Sequence, residues 1–203
     1  EILKRLKEPY ADGRYHLSYG MVDLTTGKMK SREGNVVDAD DLIKEVIETA
    51  TENSSERGEL NELTKEDQEK IIRQIAMSAL KYFIIKVQPK KRMTFNPVES
   101  LDMQGQTGPY IQNAFVRVKS LFRKGGIESL NSESRNPEQI EEIEKELIKL
   151  LLSYPEKIRE ASAEYDPSTI ANFCYALAKE FHRYWHEVRI LSAATEEDKN
   201  FRL

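Results

Sequence analysis

The chain carries a single cysteine, Cys174, in 203 residues, so no disulfide can form within it and a reducing, cytoplasmic setting fits best. It has no apolar run approaching the ~20 residues that a membrane-spanning helix needs. Its opening stretch, EILKRLKEPY, also lacks the apolar segment of a secretion signal. A membrane partner is therefore not expected. No sign of charge dominates either: 31 Lys and Arg against 35 Asp and Glu leave a net charge of −4. Global electrostatics thus carries no nucleic-acid signature, and any polyanion site must come from local segregation of charge. Histidine is scarce as well. His182 and His186 lie four apart on one helix, but no third ligand is at hand and the order is not His-Glu-x-x-His, so no metal site is expected.

What is present is mostly helical pattern. Hydrophobic residues make up 39% of the chain and charged residues 33%, enough for one good core or two small ones. A short helical signal (Ile2, Leu3, Leu6) comes first. His16 to Val22 then reads as a strand, the only convincing one, because Leu17, Tyr19 and Met21 alternate. From Asp38 onward helix starts recur. Asp38 with Asp41, and Thr64 with Asp67, have capping-box spacing, in which a side-chain oxygen satisfies an orphan backbone N–H. The first helix, with Leu42, Val46 and Ile47, is expected to fade into an exposed loop at TENSSERGELNE. The second should run from about Lys65 to Val87, until Pro89 stops it.

The next segment, MTFNPVESLDMQGQTGPY, reads as irregular, because Gly105, Gly108 and Pro109 forbid a continuous helix. Pro109 then opens a helix to about residue 124, with Ile111, Phe115, Val118 and Phe122 on one face, ending before Gly125-Gly126. After a polar linker comes a helix bearing Ile140, Ile143, Leu147 and Leu151, and Tyr154-Pro155 starts another. Asp166-Pro167 starts a long helix striped with Ile170, Phe173, Cys174, Leu177, Phe181, Trp185 and Val188. Phe181 and Trp185 read as core, and Cys174 as a small buried apolar residue. The expected architecture is a scrap of α/β structure, to about residue 40, leading into an all-helical bundle. The chain opens in mid-pattern without Met and stops straight after a charged stretch, so it reads as a piece of something longer.

One stretch raises a chemical question. In GKMKSREGNVV, residues 27–37, Lys28, Lys30 and Arg32 alternate around Ser31 in a Gly-flanked loop after the strand. Ammonium, guanidinium and hydroxyl groups in such a loop suit the pyrophosphate end of ATP, whose oxygens need several charge-assisted donors as the leaving group departs. A solvated basic turn would use the same residue types.

Context adds to this. HLSYGMV followed at once by the GKM-S-R-GNVV loop resembles the KMSKS signature of class I aminoacyl-tRNA synthetases, in the form found in the arginyl-tRNA synthetase family. SALKYFIIKV, FNPVESLDMQGQTGPYIQNAFVRVKSLFRK and IANFCYALAKEFHRYWHEVRIL are similar, in order, to helices of that family's anticodon-binding domain, the type named after a D-A-L-R motif. The fold this implies is mainly α: a helical anticodon-binding bundle over 64–203, preceded by the end of a Rossmann-like catalytic domain over 1–63. The resemblance places Lys28, Met29, Lys30, Ser31 and Arg32 in the KMSKS loop. Lys28 would stabilise the ATP phosphates; Gly20, Met21 and Val22 would lie near the adenine, largely through backbone, and His16 would begin the strand leading there. The match departs from the motif: Lys30 stands for the usual serine, Ser31 for the second lysine, and Glu33 puts an anion where relatives often have a base. Lys30 would either assist with the phosphates or face water.

The activity implied is two-step: arginine's carboxylate attacks the α-phosphate of Mg-ATP, and the terminal ribose of the arginine-specific tRNA then takes the arginyl group. Positioning and electrostatics carry such chemistry. Family members need bound tRNA to activate arginine, and the parent protein is expected to be a monomer. The companion His-Ile-Gly-His motif and the arginine pocket do not appear in these residues, so the chain alone is not expected to aminoacylate.

The RNA side has its own signal. Between residues 81 and 124 lie Lys81, Lys86, Lys90, Lys91, Arg92, Arg117, Lys119, Arg123 and Lys124, against only Glu99 and Asp102. Such segregation in an acidic chain is the footprint expected of an RNA-binding face, while the Glu-rich stretch 128–146 would turn away from it. Single-stranded bases are read by stacking and edge hydrogen bonds, and QGQTGPYIQN offers Gln104, Gln106, Tyr110, Gln112 and Asn113. The competing readings are a stand-alone helical RNA-binding module and a helical protein-interaction domain.

Overall fold

The computed structural model describes residues 2–25, 38–58, 60–126 and 140–203. Among them the order is α1 (Ile2–Arg5), β1 (Val22–Leu24), α2 (Ala39–Arg57), α3 (Lys65–Ile85), β2 (Met93–Phe95), α4 (Pro97–Ser100), α5 (Gly108–Gly125), α6 (Glu142–Leu152), α7 (Tyr154–Glu164), α8 (Ser168–Glu187) and α9 (Glu196–Arg202). The mainly helical expectation holds.

The strand is where the reading needs correction. Leu17, Tyr19 and Met21 do alternate, but residues 14–21 form no strand and these three side chains are exposed, Tyr19 at 88%. The paired segment starts at Val22 and runs parallel to a second strand, β2, with Val22 opposite Met93 and Leu24 opposite Phe95. Parallel neighbours require a crossover, and α2 and α3 supply it. Three residues are too few for alternation to show, which is why MTF reads as irregular.

The second correction concerns α2. Asp38 stands at its N-cap without a side-chain hydrogen bond. At the far end, TENSSER is helix rather than loop. Its hydroxyls bond back one turn: Thr49 Oγ1 donates to the Glu45 carbonyl at 2.9 Å, Thr51 Oγ1 to Ile47 at 2.7 Å and Ser55 Oγ to Thr51 at 2.9 Å. Those bonds let polar residues sit on the wet face of a helix whose other face is Val46 and Ala50. Gly58, at φ +67°, ends it in the left-handed conformation that favours glycine. Thr64, by contrast, caps α3 as its spacing suggests, accepting from the Asp67 N–H.

These elements share one core: Leu24, Leu42, Val46, Ala50, Ile72, Ala76, Ala79, Leu80, Phe83, Phe95 and Leu101. Phe95 has no exposed surface and meets Phe83 edge-on at 5.1 Å. The division expected near residue 63 runs through this core, since Leu24 and Val46 pack with Ile72 and Phe83.

A second cluster, Leu121, Ile143, Tyr184, Val188 and Ile190, joins α5, α6 and α8. α6 begins in a capping box between Glu141 and Glu144. Arg202 of α9 donates to Glu144 Oε1 at 2.8 Å and to Glu141 Oε1 at 2.7 Å, tying the last helix to that cap. Asp166 accepts from the Ser168 N–H at 2.9 Å and so starts α8 as expected. The apolar stripes of α5 and α8 are less covered than their period suggests. Ile111, Phe115, Val118, Leu147, Leu177 and Phe181 line an open apolar groove of about 350 Å³, and half-buried Cys174 stands in its wall.

Candidate nucleotide loop support and nucleic-acid interface

Lys28, Met29, Lys30, Ser31 and Arg32 lie outside the described residues, whereas the backbone that leads to them does not. Gly20 donates its N–H to the Pro89 carbonyl at 2.6 Å, and the Met93 N–H donates to the Met21 carbonyl at 3.0 Å. A Cβ on Gly20 would stand 2.1 Å from the Lys91 carbonyl oxygen, so only glycine permits this approach. Val22 then enters the ladder opposite Met93. The Gly20 N–H and Met21 carbonyl are thus spent on the 88–95 segment rather than left open to a base. His16 is exposed further back along the same stretch.

Beside the ladder, Arg92 grips Asp23. Its Nε donates to Asp23 Oδ2 and its Nη2 to Oδ1 at 2.8 Å, a two-pronged pair that raises the guanidinium's basicity. Asp23 is buried and Arg92 half exposed.

The remaining candidates divide by exposure. Lys90, Lys91, Gln104, Gln106, Arg123 and Lys124 face solvent; Tyr110, Gln112, Asn113 and Arg117 are half buried. Gln112 is committed to α3: its Oε1 accepts from Ser78 Oγ at 2.8 Å, and its Nε2 donates to the Gln74 carbonyl at 3.3 Å. Nearby, a Cβ on Gly108 would stand 2.2 Å from the Ser78 carbonyl oxygen, which shows how closely α5 begins against α3. Gln106 Nε2 donates to Asn172 Oδ1 at 2.8 Å, and Asn172 Nδ2 donates to the Lys86 carbonyl at 3.1 Å. Lys86 in turn donates to the Gln106 carbonyl at 3.1 Å and lies over the Phe83 ring, where burial lowers its basicity.

Arg117 points across the bundle, donating to His182 Nδ1 at 2.9 Å with its guanidinium over Trp185. A guanidinium can only donate, so Nδ1 accepts and the ring proton sits on Nε2, facing the Tyr110 carbonyl at 3.4 Å. Burial lowers the His182 pKa; the Tyr110 carbonyl opposes that, while Arg117 and His186 add to it. Tyr110 packs on His182 and Tyr175. The candidate cations thus stand in two places. Lys90 lines a hollow with Glu160, Glu164 and Asp166 just before α8, with Lys91 next to it against Gly20, and Arg123 and Lys124 lie in the last turn of α5, about 24 Å along the helix from Gly108.

Two family models match the chain in succession: tRNA synthetases class I (R), catalytic domain, over residues 2–96, and the DALR anticodon binding domain over 111–203. The whole chain aligns with the arginine–tRNA ligase of Parabacteroides distasonis at 46% identity, and with that of Flavobacterium psychrophilum at 45%. The chain belongs to the arginyl-tRNA synthetase family. It spans about a third of these relatives' length, 34% and 33%. The solved arginyl-tRNA synthetase of Thermus thermophilus superposes with a TM-score of 0.78 at 26% identity, over 93% of this chain and 31% of that one.

Within that family frame, several organising residues escape a sequence reading. Asp23, Ser78, Asn172 and His182 each hold a candidate residue in place. Asp23 and Arg92 are 69 positions apart, and Asn172 is one polar residue on an exposed helix face. No local pattern signals either partnership.

Proposed function

We propose that this chain is part of an arginine–tRNA ligase, supplying the loop that handles ATP phosphates and the helical surface that holds the tRNA. The observation that carries this reading is an adjacency inside a family-wide match. The segment that leads through β1 toward the Lys28 loop is bonded, by Gly20 to Pro89 and by Met21 to Met93, to the stretch that exposes Lys90 and Lys91. Nucleotide chemistry and a basic RNA contact thereby share one backbone support.

In this reading Lys28, with Ser31 and Arg32, meets the phosphates of Mg-ATP as arginine's carboxylate attacks the α-phosphorus and pyrophosphate leaves. The cations do most for the rate when they meet charge that grows in the transition state. Lys30 is assigned to the same anion, and magnesium enters with the nucleotide as part of the substrate. Met29 is assigned to nucleotide binding with Lys28, while His16, Gly20, Met21 and Val22 form the approach on the adenine side. On the RNA side, Lys90, Lys91, Arg123 and Lys124 neutralise phosphate, Gln104 offers an exposed side chain to base edges, and Gln106 would do so beside its bond to Asn172. Tyr110, Gln112, Asn113 and Arg117 shape that surface from half-buried positions. Arg92 sits among these cations but is directed at Asp23. The functional division places 1–63 on the catalytic side and 64–203 on the anticodon side, across a shared core. The enzyme works in the cytoplasm as a monomer, and the present residues alone do not charge tRNA.

Arginylation by the full-length enzyme tests the reading, together with titration of arginine-specific tRNA against wild type and Lys90→Gln/Lys91→Gln. Loss of two phosphate contacts should flatten the dependence of log K on log salt by about 1.8 and weaken binding. An unchanged slope would remove this turn from the RNA interface.

A further inference from the structure

Arg92 was the odd member of the basic segment: a cation in a lysine-rich turn that spends two of its donors on a carboxylate 69 positions away. Its partner sits in the middle of β1, two residues before Thr25 and on the opposite side of the strand from Leu24, which enters the core. Leu24 and Phe95 already bury the inward face of the strand pair, so the fork is not needed to bring the strands together. It acts instead on rotation and slide. A bidentate guanidinium–carboxylate contact fixes two planes as well as a distance, and it does so on the outward side, where the ladder is only three residues long.

We propose that Asp23 and Arg92 are a positioning pair for the nucleotide step: they set the direction in which β1 hands the chain to the Lys28 loop. This rests on the reading of that loop as the ATP-phosphate loop. Arg92 then serves activation rather than RNA contact, and it differs in role from Lys90 and Lys91 beside it. Rates of positioned reactions are sensitive to shifts of about 1 Å, so loss of the fork lowers turnover more than it alters ground-state binding.

The test uses the full-length enzyme, with Arg92→Gln, Asp23→Asn and the double variant, and Lys28→Ala in parallel. Adenylate formation is followed by pyrophosphate exchange at varied ATP, tRNA affinity by titration, and folding by thermal melting. Arg92 is half exposed, so Arg92→Gln decides the matter should the buried Asp23→Asn fail to fold. The expected result is a fall in kcat of about tenfold for each single variant, with KM for ATP and tRNA affinity within about twofold. The double variant should fall no further than the worse single, because the two residues act as one unit. The proposal is overturned if Arg92→Gln leaves kcat unchanged while Lys28→Ala lowers it, if tRNA affinity drops with activation intact, or if the double variant shows the product of the single effects. Unchanged kcat in Lys28→Ala itself would instead overturn the loop reading on which the pair depends.

Discussion

α3 and α8 have nearly the same length, 21 and 20 residues, and both show a clear apolar stripe, yet they meet different fates. α3 sinks Ile72, Ala76, Ala79, Leu80 and Phe83 into a closed core around Phe95. α8 buries Ala171, Phe173, Ala178, His182 and Tyr184, while Leu177 and Phe181 look into an open groove. A helical period thus shows that a face is made for covering, but whether the cover lies within this chain depends on partners far away in sequence. The aromatic residue that closes the first core, Phe95, comes from a strand of three residues.

This contrast can be broken from its strong side. Phe95→Ala should cost about 3–5 kcal/mol, because a fully buried ring leaves a cavity that its neighbours refill only partly; denaturant unfolding measures it. A loss below about 1 kcal/mol would mean that the first core is no tighter than the second. Next is Arg202→Ala. Glu144 is 3% exposed and the Arg202 side chain lies against it, so removing the guanidinium leaves a buried carboxylate with its bond from the Glu141 N–H but without its countercharge, and should cost about 2–4 kcal/mol. Gly108→Ala forces a methyl against the Ser78 carbonyl and should cost about 1–3 kcal/mol by prising α5 from α3. On the groove side, Phe115→Ala should cost under about 1 kcal/mol, since that ring is 60% exposed. A large loss there would show that the groove is closed in solution.

The smallest effect concerns pH. The folded chain holds His182 neutral between Arg117 and the Tyr110 carbonyl, with its pKa below the ordinary 6.5. The unfolded chain takes up that proton first, so stability is fully present at neutral pH and declines as pH falls through 6.5 toward the folded value. Between pH 7 and pH 5 the melting temperature of wild type should fall more steeply than that of His182→Gln, which lacks this imidazole's share; equal slopes would contradict the assignment.

The first region was also the harder to read. Thr64, Pro109, Gly126 and Asp166 announce their helices through local chemistry, and the structure places caps at or beside each. β2 is too short to show alternation. The end of α2 is hidden by hydroxyls that look like loop until their bonds back along the helix are seen. Candidate site residues follow the same rule. Charge type located the turn at Lys90-Lys91, but not that Gln112 is bound to Ser78 or Arg92 to Asp23, because both pairings join segments more than 30 positions apart. Such contacts belong to topology, which no single stretch of sequence encodes.

Pre-steady-state adenylate formation by the full-length enzyme carrying Lys28→Ala, with Mg-ATP, arginine and tRNA saturating, tests the central claim most directly. The account predicts a fall of roughly 10²–10³ in the rate of activation, the usual consequence of removing one donor from developing phosphate charge. A rate equal to wild type would contradict it.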